Sequence, residues 1–317
     1  MKKFLLQVQF LIAGIGNGWG SPRLIRTPEK LLITDNEQSV EGFSNILNNF
    51  LITFYVQALA VIENNFPEKI RAEALDICCG SGHFAKLVNR HLNFHKVYGV
   101  DLSEPQLHVA KEQNKIFQTD INYSLGDMTD LKNIAENSFN LVTNLDSLHH
   151  VKDLSDLAKA YAEMDRVCRP DGMILALDLI RPKSSWIVEK MVKAISSENA
   201  KKNQSGLTID YYYSLNAAFV PEEHMSCLPK NENRNWFIIK PRFVPLFQII
   251  VGLPKNKKKL KMGMPFSYKT LFKLVPKDLF LELIAVNLIT QTATPTKLER
   301  REDDLSSNKS KKMNLVA

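Results

Sequence analysis

The sequence predicts an α/β fold: a doubly wound, mostly parallel sheet closed by an antiparallel hairpin, with N-terminal helices and a C-terminal extension. Three observations predict it. From residue 72, short apolar runs alternate with segments of helical periodicity. The runs are apolar at consecutive positions, as strands covered on both faces are. The first of them enters a glycine turn, Leu75-Asp76-Ile77-Cys78-Cys79-Gly80-Ser81-Gly82-His83-Phe84-Ala85, which joins a strand to a helix.

Residues 1–40 form a partly irregular N-terminal segment. Gly14, Gly16, Gly18 and Gly20 surround Trp19 and read as a flexible surface stretch, since no strand and no Lys-Ser/Thr frames them. Phe43, Ile46, Leu47, Phe50, Phe54, Leu59 and Ile62 recur at helical steps until Pro67. Strands follow at Ala74–Cys78, Lys96–Asp101, Ile121–Leu125, Phe139–Leu145 and Met173–Leu179. Ser103 caps the helix after the second strand, with Glu104 and Pro105 in its first turn. Ser155 begins a helix that Pro170-Asp171-Gly172 breaks. Helices are expected over Trp186–Ile195 and from Pro221, and Trp236–Ile239 pairs with Leu246–Val251 as the hairpin. The domain therefore spans 41–252, with a ligand-binding core at 72–180 and helices on the substrate side at 183–235. Residues 253–317 make a basic, partly helical extension ending in a disordered polar tail.

With 44% hydrophobic and 24% charged residues, the 317-residue chain can build a full core. The net charge of +7 gathers in places such as Lys255–Lys261 rather than on one broad face, so nucleic acid is not an expected partner. That run suits a solvated linker, with weak contact to an acidic membrane surface as the alternative. The four cysteines form no CxxC pair, so neither a disulfide scaffold nor a metal site is expected, and the compartment reads as the reducing cytoplasm. Gln7 and Gln9 interrupt the apolar start, which argues against a secretory signal. No apolar run reaches the roughly 18 residues of a membrane-spanning helix.

A turn of this kind leaves helix N-terminal N–H groups open to a nucleotide-type ligand. Gly80-Ser81-Gly82-His83-Phe84-Ala85 fits the G-x-G-x-x-G/A pattern, and Asp101 at the next strand end can accept from both ribose hydroxyls. These features suit NAD, FAD and S-adenosylmethionine alike. Asp76 separates them: a carboxylate inside a buried strand needs a partner. A ligand ammonium or nearby N–H groups would supply one, whereas a pyrophosphate would be repelled. Asp127 and Met128 follow the third strand, where an acid can accept from an adenine amino group.

Leu75–Gly82, Gly99-Val100-Asp101-Leu102-Ser103, Gly126-Asp127-Met128, Ser138–Val142, Leu148-His149-His150-Val151 and Arg166–Gly172 resemble the successive motifs of class I S-adenosylmethionine-dependent methyltransferases. The Asp-Ile-Cys-Cys-Gly-Ser-Gly form most resembles the branch that methylates quinone precursors. The resemblance implies a Rossmann-like core and transfer of a methyl group to a small-molecule acceptor. It implies that Asp76, with backbone from Cys78 through Gly80 to Gly82, takes the methionine end of the cofactor. Asp101, with Leu102 beside it, would take the ribose, Asp127 and Met128 the adenine, and Asn144 and Leu145 the sulfonium side. Cys78 stands where most of the superfamily has glycine, as in the quinone-type branch.

His149 and His150 sit where a substrate would face the methyl group, and a neutral histidine there could take a proton. Tyr211, Tyr212 and Tyr213 suit either an aromatic pocket or a helix face, and Tyr55 could close over the cofactor. Cys78 and Cys79 read as small core residues. Two other functions remain open on sequence: an NAD(P)-dependent oxidoreductase on the same turn, and a non-catalytic assembly protein. Asn144-Leu145-Asp146-Ser147 lacks the Pro-Pro signature common in base-amino methyltransferases.

Overall fold

The computed structural model describes residues 12, 14–17, 24–29, 51–67, 69, 71–201, 205–230 and 233–297. Helix α1 (Leu51–Asn65) precedes the alternating core: β1 (Glu73–Ile77), α2 (His83–His91), β2 (Lys96–Asp101), α3 (Glu104–Phe117), β3 (Ile121–Leu125), β4 (Phe139–Leu145), α4 (Leu154–Val167) and β5 (Cys168–Leu179). Three helices follow, α5 (Ser185–Lys201), α6 (Ser205–Ala217) and α7 (Pro221–Cys227). The hairpin strands are β6 (Arg234–Ile239) and β7 (Phe247–Pro254). Helices α8 (Tyr268–Leu274) and α9 (Phe280–Gln291) and the short β8 (Thr296–Lys297) complete the described chain.

The eight strands form one sheet in the order β3-β2-β1-β4-β5-β7-β6-β8. Strands β1 to β5 pair in parallel, and β7 runs antiparallel to both β5 and β6. Successive strand residues serve opposite faces: Ala74, Leu141 and Leu175 enter one core, while Leu75, Val142 and Ile174 enter the other. That two-sided burial is why the strands read as unbroken apolar runs. Strand order reverses between β1 and β4, which opens a crevice at their carboxyl ends.

Four local details differ from the sequence reading. The cap of α4 is Asp153, whose carboxylate accepts the N–H groups of Ser155 and Asp156 at 2.9 and 3.1 Å. Residues 168–172 continue into β5 as an irregularity, because pairing with β4 jumps from Phe139↔Cys168 to Leu141↔Met173. Gly172 is required there, since a Cβ would meet the Asn140 carbonyl at 2.7 Å. Residues 14–17 are helical and packed rather than a loose surface stretch: Gly14 lies against Val244, and the Asn17 amide donates to the Pro245 carbonyl at 2.8 Å. The basic run is fastened to the end of α1. Asn65 donates to the Lys261 carbonyl and accepts its N–H, both at 2.8 Å, and the Lys257 amine donates to the Asn65 carbonyl.

Leu271, Leu274, Leu283 and Val286 join the same core as α1, and β8 pairs with β6. Residues 298–317, where the disordered tail is expected, lie outside the described residues, as do 31–50. Among the described residues no helix is long and apolar enough to cross a membrane.

Candidate active site

At the carboxyl ends of β1, β2 and β4 lies a cleft of about 950 Å³, its open mouth included. Its floor is the glycine turn. Cys78, Gly80 and Gly82 all adopt left-handed backbone, at φ +55°, +51° and +73°. The conformation favours glycine and costs a residue with a Cβ about 1 kcal/mol, so Cys78 stands at a strained position. The two glycines serve different ends. A Cβ on Gly80 would meet nothing nearer than Gln106 Oε1 at 3.9 Å, and Gly80 lines the cleft. Gly82 is not part of the lining; the Tyr123 ring covers it, and a Cβ there would meet the Tyr123 hydroxyl at 2.1 Å.

Asp101 holds the turn to β2. Its carboxylate accepts the Gly80 N–H at 2.8 Å and the Ser103 N–H at 2.9 Å, and still lines the cleft beside Leu102. Asp76 is buried and also lines the cleft. It accepts from the Thr143 hydroxyl at 2.8 Å and from the Ala85 N–H, so the protein already supplies partners for the strand carboxylate. Those partners are neutral. Burial, with the charge of Asp101 adding, pushes Asp76 up to about 7 despite them, and a cation in the cleft would favour its ionised form. Gly80's open side and a buried carboxylate without a cation fit a ligand that has an ammonium end, as S-adenosylmethionine has.

Met128 and Leu145 line the cleft, but Asp127 and Asn144 do not. Asp127 folds back to accept the N–H and hydroxyl of Thr129, both at 2.8 Å. Asn144 braces the wall from behind, donating to the Ile77 carbonyl at 3.2 Å and accepting from Ser147 at 2.9 Å. Tyr55 reaches the cleft from α1. Tyr212 and Tyr213 are exposed on α6, and none of the three tyrosines there lines the cleft. Burial pushes the Cys78 and Cys79 thiols up, which keeps them protonated and poor nucleophiles.

Asp146, Ser147 and His150 also line the cleft. His150 Nδ1 meets Glu29 at 2.8 Å, and Glu29 also accepts from the Ser214 hydroxyl at 2.9 Å. His149 lies behind, buried and outside the lining, with Nδ1 on Asp178 at 2.6 Å. Burial alone would lower His149, but Asp178, Asp146 and Glu29 raise it to about 9. Absent another cation it is positively charged near neutral pH, so the neutral-base reading does not suit His149. Arg26 pins the 24–29 segment here, donating to the carbonyls of Ala217, Lys152, His149 and Val151.

Sequence reasoning missed Glu29, Asp146 and Asp178. Asp178 carried a usable signal: it is a carboxylate in an apolar strand, the same argument that singled out Asp76. Glu29 carried none, because its segment has no periodicity.

Residues 75–176 match the family model described as "Methyltransferase domain". The demethylmenaquinone methyltransferase of Leptospira interrogans is 35% identical over 128 residues, 40% of this chain and 49% of that protein. Its counterpart from Staphylococcus haemolyticus is 36% identical over 115 residues, 36% of this chain and 46% of that protein. The chain thus spans about half the length of the curated relatives it matches. Among solved structures, geranyl diphosphate C-methyltransferase from Streptomyces coelicolor aligns with a TM-score of 0.46 at 14% identity, over 78% of this chain and 98% of that one. From the ordered motifs, the reversed strand order and the family match, residues 75–176 of this chain are a methyltransferase domain of the class I S-adenosylmethionine-dependent superfamily.

Proposed function

We propose that the chain transfers a methyl group from S-adenosylmethionine to a small-molecule acceptor by direct in-line displacement. The observation that carries this reading is a single cleft whose lining brings Asp76, Gly80 and Asp101 together with Asp146, Ser147 and His150. Similarity to demethylmenaquinone methyltransferases supports an acceptor of the quinone-precursor kind. When bound, the cofactor supplies a methyl group already activated on a sulfonium.

The chain's own residues bind, orient and exclude water. Asp76 and the backbone from Cys78 to Gly82 take the methionine end. Asp101 takes the ribose hydroxyls, with Leu102 beside it. Met128 packs on the adenine, and Asp127 shapes the turn that presents it. Leu145 lines the sulfonium side, braced by Asn144, and Tyr55 closes the cleft from α1. His150, held by Glu29, takes a proton from acceptors that must lose one.

Binding of S-adenosylhomocysteine across pH tests the reading. The ligand-free fold holds the Asp76 proton up to about 7, above the ordinary carboxylate value. This contribution to stability is full at low pH and is lost as pH rises through about 7. A ligand ammonium favours the opposite, ionised form. Affinity is therefore expected to fall by about tenfold between about pH 8 and about pH 6 in calorimetry, and to stay flat in Asp76→Asn. A flat wild-type profile would count against an ammonium at Asp76.

The exposed Lys255, Lys258, Lys259 and Lys261 support weak contact with an anionic membrane surface, at about 1 kcal/mol per residue. Sedimentation with anionic vesicles, lost when Lys258 and Lys259 become glutamate, is the expected result. Equal sedimentation with neutral vesicles would contradict it. Four free cysteines support a reducing compartment, and the proposal places the chain in the cytoplasm.

A further inference from the structure

Three side chains of metal-ligating type meet beside the cleft, and His150 is the one that lines it. Glu29 comes from the pinned N-terminal segment, and His149 and His150 from the turn after β4. The Glu29 carboxylate, one nitrogen of His149 and one of His150 lie within 4.8 Å of one another. His150 Nδ1 is 2.8 Å from Glu29 Oε2, and His149 Nε2 is 3.9 Å from Glu29 Oε1. The two rings are 4.3 Å apart.

Two features separate this group from an ordinary ion-pair cluster. The first is orientation. Asp178 binds His149 Nδ1 at 2.6 Å and the His149 N–H at 2.8 Å, which fixes the ring and turns Nε2 toward Glu29. A carboxylate on the far nitrogen is how proteins orient a ligating histidine. The second is an unpartnered neighbour. His149 Nε2 stands 3.9 Å from the nearer Glu29 oxygen, beyond hydrogen-bond distance to it, and Asp210, on α6 and within the field of Glu29 and His150, keeps a buried carboxylate oxygen without a partner among the described residues.

We propose that Glu29, His149 Nε2 and His150 Nδ1 bind a divalent transition metal ion of the zinc, cobalt or manganese class. Two imidazoles and a carboxylate suit such ions better than magnesium or calcium, which prefer all-oxygen shells. Three protein ligands leave a coordination position free, as in catalytic rather than structural sites. His150 lines the cleft, which puts the site beside the space open to a ligand. On the methyl-transfer reading, on which this last step rests, the ion binds an acceptor oxygen and lowers the pKa of its hydroxyl, a role that replaces proton uptake by His150, whose acceptor nitrogen the ion occupies.

The test is titration of chelator-treated full chain with Co²⁺, followed by visible absorption, beside a separate titration with S-adenosylhomocysteine. The expected result is one equivalent of Co²⁺ with ligand-field bands, and affinity weakened by at least about a hundredfold in Glu29→Gln and in His150→Gln. S-adenosylhomocysteine binding by Glu29→Gln, unchanged within a factor of about three, shows that this variant is folded. No stoichiometric Co²⁺ binding by wild type, or binding that both variants retain, overturns the site. Cobalt binding without S-adenosylhomocysteine binding would keep the metal site and remove the methyl-transfer reading. The reverse would keep methyl transfer and remove the metal.

Discussion

Asp101→Ala is expected to weaken S-adenosylhomocysteine binding roughly a hundredfold, because two hydrogen bonds to a charged acceptor are lost together. Calorimetry on the folded variant measures it. The sequence alone suggests that this substitution would spare the fold. The structure adds a second effect, since the same carboxylate accepts the Gly80 and Ser103 N–H groups. Removing it leaves the Gly80 and Ser103 N–H groups without this acceptor, and a loss of about 1–3 kcal/mol in stability should accompany the binding defect. Denaturant unfolding separates the two. An affinity unchanged from wild type would mean that Asp101 faces no ligand hydroxyl.

Arg234→Ala should produce the largest loss of stability, roughly 3–5 kcal/mol, as expected when one partner of a buried pair is removed. The guanidinium lies buried at the start of β6. It donates to Asp165 at 2.6 Å and to the carbonyls of Gly172, Cys168 and Arg169 at 2.8, 2.9 and 2.8 Å. These carbonyls belong to the irregular start of β5, where the ladder to β4 is broken. Arg234 therefore replaces hydrogen bonds that the sheet does not supply there. The site is remote from the cleft lining, so ligand affinity of the folded fraction should match wild type. A loss under about 1 kcal/mol in chemical denaturation would contradict this role.

These two residues show what was legible in the sequence. The bounds of β2, β3 and β4 match the segments read from sequence; β4 is buried along its whole length, while β3, at the sheet edge, buries only Ile121 and Tyr123. Ser103 was readable as a cap because its side chain does what its type predicts, accepting the Gln106 N–H. Asp101 was readable because strand-end acids after a glycine turn have a local pattern. Arg234 was not, since its four partners lie more than sixty residues away. The same holds for Glu29, whose partner His150 is 121 positions distant. Asp127 shows the converse: a motif-perfect acid whose carboxylate folds onto Thr129 instead of facing the cleft. Pattern fixes what neighbours in sequence decide, and these long-range pairs are decided by packing.

The central claim is that the glycine turn, Asp76 and Asp101 form the cofactor site of a methyltransferase. Parallel calorimetric titrations with S-adenosylhomocysteine and with NADH test it most directly. One equivalent of S-adenosylhomocysteine is expected to bind, with binding lost in Asp101→Ala, and no heat is expected from NADH at the same concentrations. Saturable NADH binding with no response to S-adenosylhomocysteine would contradict it.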